Sequence, residues 1–300
     1  MSKIQYKEIR FQQKSLGLIE LVNQVVDEYS AQGYELTLRQ VYYQLVARGY
    51  IPNNERSYKN VGNLINDGRL AGLIDWNSVT DRTRNLRKAG HWDNPADVIA
   101  SARYSYNLDK WKGQPNYVEV WVEKDALVDI VGQACSPLDT PYFSCRGYTS
   151  QSEMWSAAQR FIRQKQREKR IIIHLGDHDP SGIDMTRDIQ ERLELFGADV
   201  YVKRVALTMN QIQTYNPPPN PAKITDSRAS KYIDQFGDES WELDALEPKV
   251  ITDLIKKQVT MYRNDDIYRA VCDKESREKE ELKMLERNYD RAVAYLESEE

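Results

Sequence analysis

Cysteine is scarce, with 3 in 300 residues. Cys135, Cys145 and Cys272 are odd in number and widely spaced, which excludes a disulfide framework and a cysteine-based zinc motif. They read as thiols of a reducing cytoplasm. Long apolar runs are missing as well. No segment approaches the ~18 residues needed to span a bilayer, and the amino terminus lacks the h-region of a signal peptide. His174 and His178 fall on a strand and its turn rather than on one helix face, so a zinc site there is not expected. No internal repeat is visible.

What is present is a hydrophobic fraction of 40%, enough for a proper core, and 29% charged residues. The length suggests two domains, or one large domain with an appendage. Residues 1–115 hold 16 basic and 12 acidic residues, and the remainder holds 26 and 34. A basic front half can accept a polyanion and an acidic back half can hold divalent metal, although charge alone does not separate this from a solvated surface.

Leu16, Ile19, Val22, Val25-Val26 and Tyr29 repeat at helical spacing, and Gly33 follows as a stop. Thr37-Leu38-Arg39-Gln40 has the capping-box pattern and predicts a helix ending before Gly49. Ser57 is expected to cap a third helix that carries Lys59, Asn60, Asn63 and Arg69 away from its apolar face. A fourth helix is expected near Asp81-Arg82-Thr83-Arg84. Short helices with tight turns, basic on the last, suggest a helical winged-helix or helix-turn-helix DNA-binding domain over residues 1–112. Lys59 and Arg69 are its candidate DNA contacts. Beyond the boundary at Gly113-Gln114-Pro115-Asn116, strands and helices alternate. This predicts an α/β domain with a mainly parallel, Rossmann-like sheet over residues 113–272. Residues 273–300 read as a charged C-terminal helix. Leu282, Tyr289 and Leu296 recur there seven apart, as a short coiled-coil seam or a helix folded back onto the domain.

The apolar run Ile171-Ile172-Ile173-His174-Leu175 leads into Gly176-Asp177-His178-Asp179-Pro180-Ser181-Gly182. Side chains two apart on an extended chain point the same way, so Asp177 and Asp179 are expected to converge, with His178 turned to solvent or DNA. Converging carboxylates repel unless a hard cation neutralises them. A second strand, 117–122, ends in Glu123-Lys124-Asp125. Parallel sheets bind ligands at the carboxyl ends of their strands, which makes Glu123, Asp177 and Asp179 candidate Mg2+ ligands.

On a helical wheel of residues 38–48, Leu38, Val41, Tyr42, Leu45 and Val46 share one face. Tyr43 falls outside it, with Arg39 one turn away. An exposed phenol beside a guanidinium suits a tyrosine nucleophile attacking a phosphodiester. Its ordinary pKa near ~10 calls for help from a positive field or a base. A plain surface tyrosine, one of 19 in the chain, is the other reading of the same pattern.

Leu38-Arg39-Gln40-Val41-Tyr42-Tyr43 resembles the Arg-x-x-Tyr-Tyr motif of the A subunit of DNA topoisomerase VI and its relative, the meiotic double-strand-break transesterase. Val122-Glu123-Lys124-Asp125-Ala126 resembles the first Toprim motif of that family, and Asp177-His178-Asp179-Pro180-Ser181-Gly182 its Asp-x-Asp-Pro-x-Gly. Trp241-Glu242-Leu243-Asp244-Ala245-Leu246 resembles a late Glu-x-x-Ala-Leu segment. The motifs stand in the family's order and span roughly residues 35–255. The family's Gly-rich segment ending in Lys-Gly has no clear counterpart in Asn66-Asp67-Gly68-Arg69-Leu70-Ala71-Gly72.

The resemblance implies a winged-helix domain followed by a Toprim domain. It implies Mg2+-dependent cleavage of double-stranded DNA, with Tyr43 as nucleophile, Arg39 on the scissile phosphate and Glu123, Asp177 and Asp179 on the metal. Lys124 would be a further phosphate contact. A homodimer would supply one tyrosine per strand, each facing the metal site of the other subunit. A B-type ATPase would be a separate chain. Two alternatives use the same residues: a Toprim nuclease in which water attacks, and a non-catalytic DNA-binding protein.

Overall fold

A computed structural model of the chain describes residues 3–80, 89–222, 226 and 228–299. The Asp81-Arg82-Thr83-Arg84 segment lies outside the described residues. The front of the chain forms α1 (Gln13–Ala31), strand β1 (Leu36–Thr37), α2 (Leu38–Ala47), α3 (Glu55–Leu70) and strand β2 (Val79–Thr80). The capping box predicted for α2 is present: the Thr37 hydroxyl accepts the Gln40 N–H, and Gln40 Oε1 accepts the Thr37 N–H at 2.8 Å. The cap of α3 is Asn54 rather than Ser57, because Asn54 Oδ1 accepts the Ser57 N–H at 2.8 Å. Val22, Val25 and Tyr29 of α1 pack with Val41 and Leu45 of α2 and Val61 and Ile65 of α3. The short strands β1 and β2 pair in parallel, and the described residues of this module contain no antiparallel wing hairpin.

After α4 (Pro95–Ser105) come β3 (Asn116–Val122), α5 (Val128–Cys135), β4 (Tyr142–Ser144), α6 (Gln151–Ile162), β5 (Lys169–Leu175), α7 (Pro180–Leu195) and β6 (Tyr201–Ala206). The four strands are all parallel, in the order β4-β3-β5-β6. The chain is therefore of mixed α/β class. Alternation along the strands divides the core in two. Val118, Val120 and Val122 with Ile171, Ile173 and Leu175 face α5 and a later helix, α10 (Pro248–Thr260). Trp121 and Ile172 face Met154 and Phe161 of α6 and Met185 and Ile189 of α7. Each fully buried aliphatic side chain contributes roughly 1.5–3 kcal/mol, so this sheet is a stiff base for the loops at its edge.

Between β6 and α10 lie α8 (Met209–Tyr215), β7 (Asn220–Pro221), α9 (Ala229–Phe236) and β8 (Glu239–Ser240), with β7 and β8 antiparallel. A 3-10 turn at Leu243–Ala245 follows. It straddles the two modules: Ala245 belongs to the core of the front helices, and Leu243 and Leu246 belong to that of the sheet.

The chain ends with α11 (Asp265–Arg287) and α12 (Tyr289–Glu299). α11 runs without interruption across residue 272, where the charged tail was expected to begin. It folds back along α4: Arg103 pairs with Glu286 at 2.8 Å, and Lys110 with Glu275 at 2.8 Å. The break between the helices at Asn288 interrupts the heptad seam. Trp111, just before the expected boundary, is buried in the sheet core. Among the described residues, no helix is long and apolar enough to cross a membrane.

Candidate active-site cleft

β3 and β5 run side by side to the same edge, Val122 paired with Leu175, so the segments that follow them start together. Glu123 leaves β3 with its carboxylate in the crook of the 176–182 turn, where Oε2 accepts the Asp177 N–H at 2.9 Å. The turn requires glycine at Gly182 and is crowded at Gly176. A Cβ at Gly176 would stand 2.8 Å from Glu123 Oε2, and one at Gly182 would stand 2.3 Å from the Asp177 carbonyl oxygen. Asp179 caps α7, accepting the Gly182 N–H at 2.6 Å. Arg204 of β6 ties the turn from beneath. Its guanidinium donates to the carbonyls of Gly182 at 2.7 Å and Gly176 at 3.0 Å, and to that of Asp177.

The strand ends at Leu175, so the two-residue alternation does not carry through to Asp179. Asp177 turns toward the 241–246 segment, where Oδ1 accepts the Leu243 N–H at 2.8 Å. Asp179 turns to its helix cap. His178, expected to reach solvent or DNA, is only 2% exposed. It makes an antiparallel bridge to Trp241, and its Nδ1 lies 2.8 Å from the Tyr232 hydroxyl. Burial lowers its imidazole pKa to about 4.

Stitched to Asp177 and His178, residues 241–246 present Glu242 and Asp244 to two cations from distant parts of the chain. Lys124 Nζ lies 2.9 Å from Asp177 Oδ2, 2.7 Å from Glu242 and 3.1 Å from Asp244. Arg39 pairs with Glu242, and its Nε lies 2.9 Å from Asp244 Oδ2 without the alignment of a hydrogen bond. Burial raises the Asp177 carboxyl to about 7; Lys124 opposes this, and Glu123 adds to it. Burial likewise raises Glu123, with Asp179 adding to the effect. Glu242 goes the other way: against the effect of burial, Lys124 and Arg39 hold it at about 2. Burial works against the charge of Lys124, but Asp244, Asp177 and Glu242 outweigh it and raise its pKa above the ordinary range.

Tyr43 lies behind Arg39, whose guanidinium sits 5.7 Å from the centre of its ring. The wheel expected an exposed phenol, yet Tyr43 is 4% exposed. Gln40, Tyr43 and Gln44 are buried as well as the apolar stripe, and α2 packs against the 3-10 turn at Leu243–Ala245. The phenol comes within 3.4 Å of Asn220 Nδ2, and burial, with Glu242 adding, raises its pKa well above 10. The remaining expected contacts divide. Lys59 is 70% exposed and pairs with Glu55 one turn away. Arg69 turns inward instead, donating to the Trp76 carbonyl at 3.0 Å and to that of Val79.

Arg39, Glu123, Lys124, Arg146, Asp177, Asp179, Glu242 and Asp244 line a single open cleft of about 430 Å³. Its charge suits a cation, but four of the six oxygens of the expected ligands are already engaged: both of Asp177 by Leu243 and Lys124, one of Glu123 by the Asp177 N–H, and one of Asp179 by the α7 cap. Among the described residues, no three carboxylate, imidazole or thiolate side chains are grouped so as to hold a metal ion. Magnesium needs near-octahedral oxygens at roughly 2.0–2.1 Å, and these residues do not fit it as arranged.

Arg204 and Asp244 were not singled out from the sequence, though signals exist for both. Arg204, with Lys203 beside it, is a charge on a strand of a parallel sheet, whose strands are normally apolar. Asp244 stands in the late motif, between two apolar residues. Neither a protein-family model nor a curated protein matches the chain.

Proposed function

We propose that this chain cleaves double-stranded DNA by tyrosine transesterification, like the A subunit of a topoisomerase VI. In this reading the front helices are a winged-helix module and the sheet is a Toprim domain. One observation carries it: Arg39 and Lys124, some eighty residues apart and both implied by the resemblance to contact phosphate, meet at a single carboxylate about two hundred residues beyond Arg39. Arg39 and Lys124 both bind Glu242. Tyr43 lies against Arg39 at that point.

In the reaction, the Tyr43 oxygen attacks phosphorus as its proton passes to solvent. A phosphotyrosyl ester forms, the bond from phosphorus to the deoxyribose oxygen breaks, and that oxygen takes up a proton. One ester replaces another, so religation needs no ATP. Arg39 and Lys124 hold the phosphoryl oxygens as charge builds on them. The buried phenol has to be uncovered first. Magnesium dependence, a homodimer with one tyrosine per strand, a separate ATPase chain and a cytoplasmic location rest on the sequence reading. Since Arg39 reaches the acidic cleft of its own chain, delivery of the motif from a second copy is not needed for the two to meet. Denatured reaction mixtures are expected to contain protein–DNA adducts for wild type and none for Tyr43→Phe; adducts in Tyr43→Phe overturn the assignment.

The burial of Tyr43 favours a second reading, in which water attacks and Tyr43 is structural. Free 5′ phosphates without attached protein, made equally well by Tyr43→Phe, would select it. Binding of DNA without any cleavage, whatever the Mg2+ concentration, would select a non-catalytic protein.

A further inference from the structure

We infer that Glu242 holds the position of a DNA backbone phosphate between Arg39 and Lys124, and that the phosphate displaces it on binding. The inference rests on the DNA-cleaving reading and adds to it a residue that opposes substrate until substrate arrives. The two carboxylates that grip these cations differ in kind. Asp244 is fully buried, at 2.9 Å from Arg39 and 3.1 Å from Lys124, and holds both from behind. Glu242 is on the cleft side, its side chain 24% exposed, and bridges the same two cations with one carboxylate. A single anion forked between a guanidinium and an ammonium at the wall of an open cleft has the geometry that a phosphodiester would adopt there.

The backbone on either side of Glu242 is fixed, by the Trp241–His178 bridge and by the Leu243 N–H bond to Asp177. Only the side chain of Glu242 is free to swing away. Charge favours exchange over addition. Glu242 and Asp244 already match Arg39 and Lys124, so a phosphate entering beside Glu242 would add an unpaired negative charge. A phosphate entering in its place leaves the balance unchanged. The exchange also withdraws a carboxylate that disfavours ionisation of Tyr43, linking the arrival of DNA to release of the nucleophile.

The test is affinity of the full-length chain for a short DNA duplex in EDTA, followed by fluorescence anisotropy. Glu242→Gln is expected to bind about tenfold more tightly than wild type. Asp199→Asn is the control. It removes an equal charge just before β6, at the opposite edge of the sheet, and is expected to gain less than about twofold because distant surface charges are screened. The gain is expected to disappear when Glu242→Gln is combined with Arg39→Gln. Should Glu242→Gln fail to fold, Glu242→Asp makes the same test, since its shorter side chain cannot bridge both cations equally well. A gain no larger than that of Asp199→Asn, or one that persists without Arg39, overturns the role of Glu242 and leaves the DNA reading standing. No binding of duplex by wild type or variants overturns both.

Discussion

Asp177 and Glu242 line the same cleft, touch the same lysine and are driven in opposite directions. Asp177 is raised to about 7, and Glu242 is held at about 2. Both lose hydration, so burial alone does not separate them. The difference lies in their neighbours. Glu242 has Arg39 and Lys124 in contact, whereas Asp177 has Lys124 alone and the carboxylate of Glu123 behind it. One wall of the cleft is a closed ion-pair network that joins two modules. The other is a pocket with fewer cations than carboxylates.

The largest expected effect comes from breaking the paired wall at its centre. Asp244→Ala leaves Arg39 and Lys124 without their buried partner, a change that typically costs about 3–5 kcal/mol. Arg39 is 41% exposed, so solvent takes over part of its charge and the lower end of that range is expected. Urea unfolding measures it, and a loss under roughly 1 kcal/mol would remove Asp244 from its central place.

The pH dependence of stability sharpens the same comparison. An unfolded aspartate titrates near ~3.9 and an unfolded glutamate near ~4.3. Asp177, raised when folded, favours the folded state below ~3.9 and loses that contribution as pH climbs through about 7. Glu242, lowered when folded, contributes above ~4.3 and loses its contribution as pH falls through about 2. Melting curves for Asp177→Asn are expected to show a protein at least as stable as wild type at pH 8, with less change between pH 7 and 4. Glu242→Gln is expected to remove part of the acid loss between pH 4 and 2. The same pH window for both variants would mean that the two walls are not electrically distinct.

The smallest effect on stability is expected at Lys59, outside the cleft. Its pair with Glu55 is fully exposed and screened by solvent, so Lys59→Ala is expected to melt like wild type. If α3 contacts DNA, the salt slope of duplex binding falls by about 1 for that variant. An unchanged slope removes Lys59 from the interface.

The fold was more legible than the site. β3 and β5 show in the apolar runs 117–122 and 171–175, and α2 in its capping box, because pleat and cap chemistry act within a few residues. Tyr43 shows where such reasoning stops. A wheel detects one apolar stripe, and α2 buries a second face against a turn two hundred residues away. His178 is similar: alternation expected it to face outward, but the bridge to Trp241 draws it inside. Arg69 and Lys124 carry the charge expected of DNA contacts, yet the first is turned toward backbone carbonyls and the second toward carboxylates.

By itself, the chain's order of residues determined the parallel sheet, the edge at which Glu123 and Asp177 emerge and the helix that carries Arg39 and Tyr43. Each follows from local periodicity and from the rule that ligands meet the carboxyl ends of parallel strands. Only the tertiary structure decided which charges are neutralised. Electrostatic partners are set by distance in space, and Arg39, Lys124, Asp177, Glu242 and Asp244 come together only after two cores have packed around Leu243–Ala245.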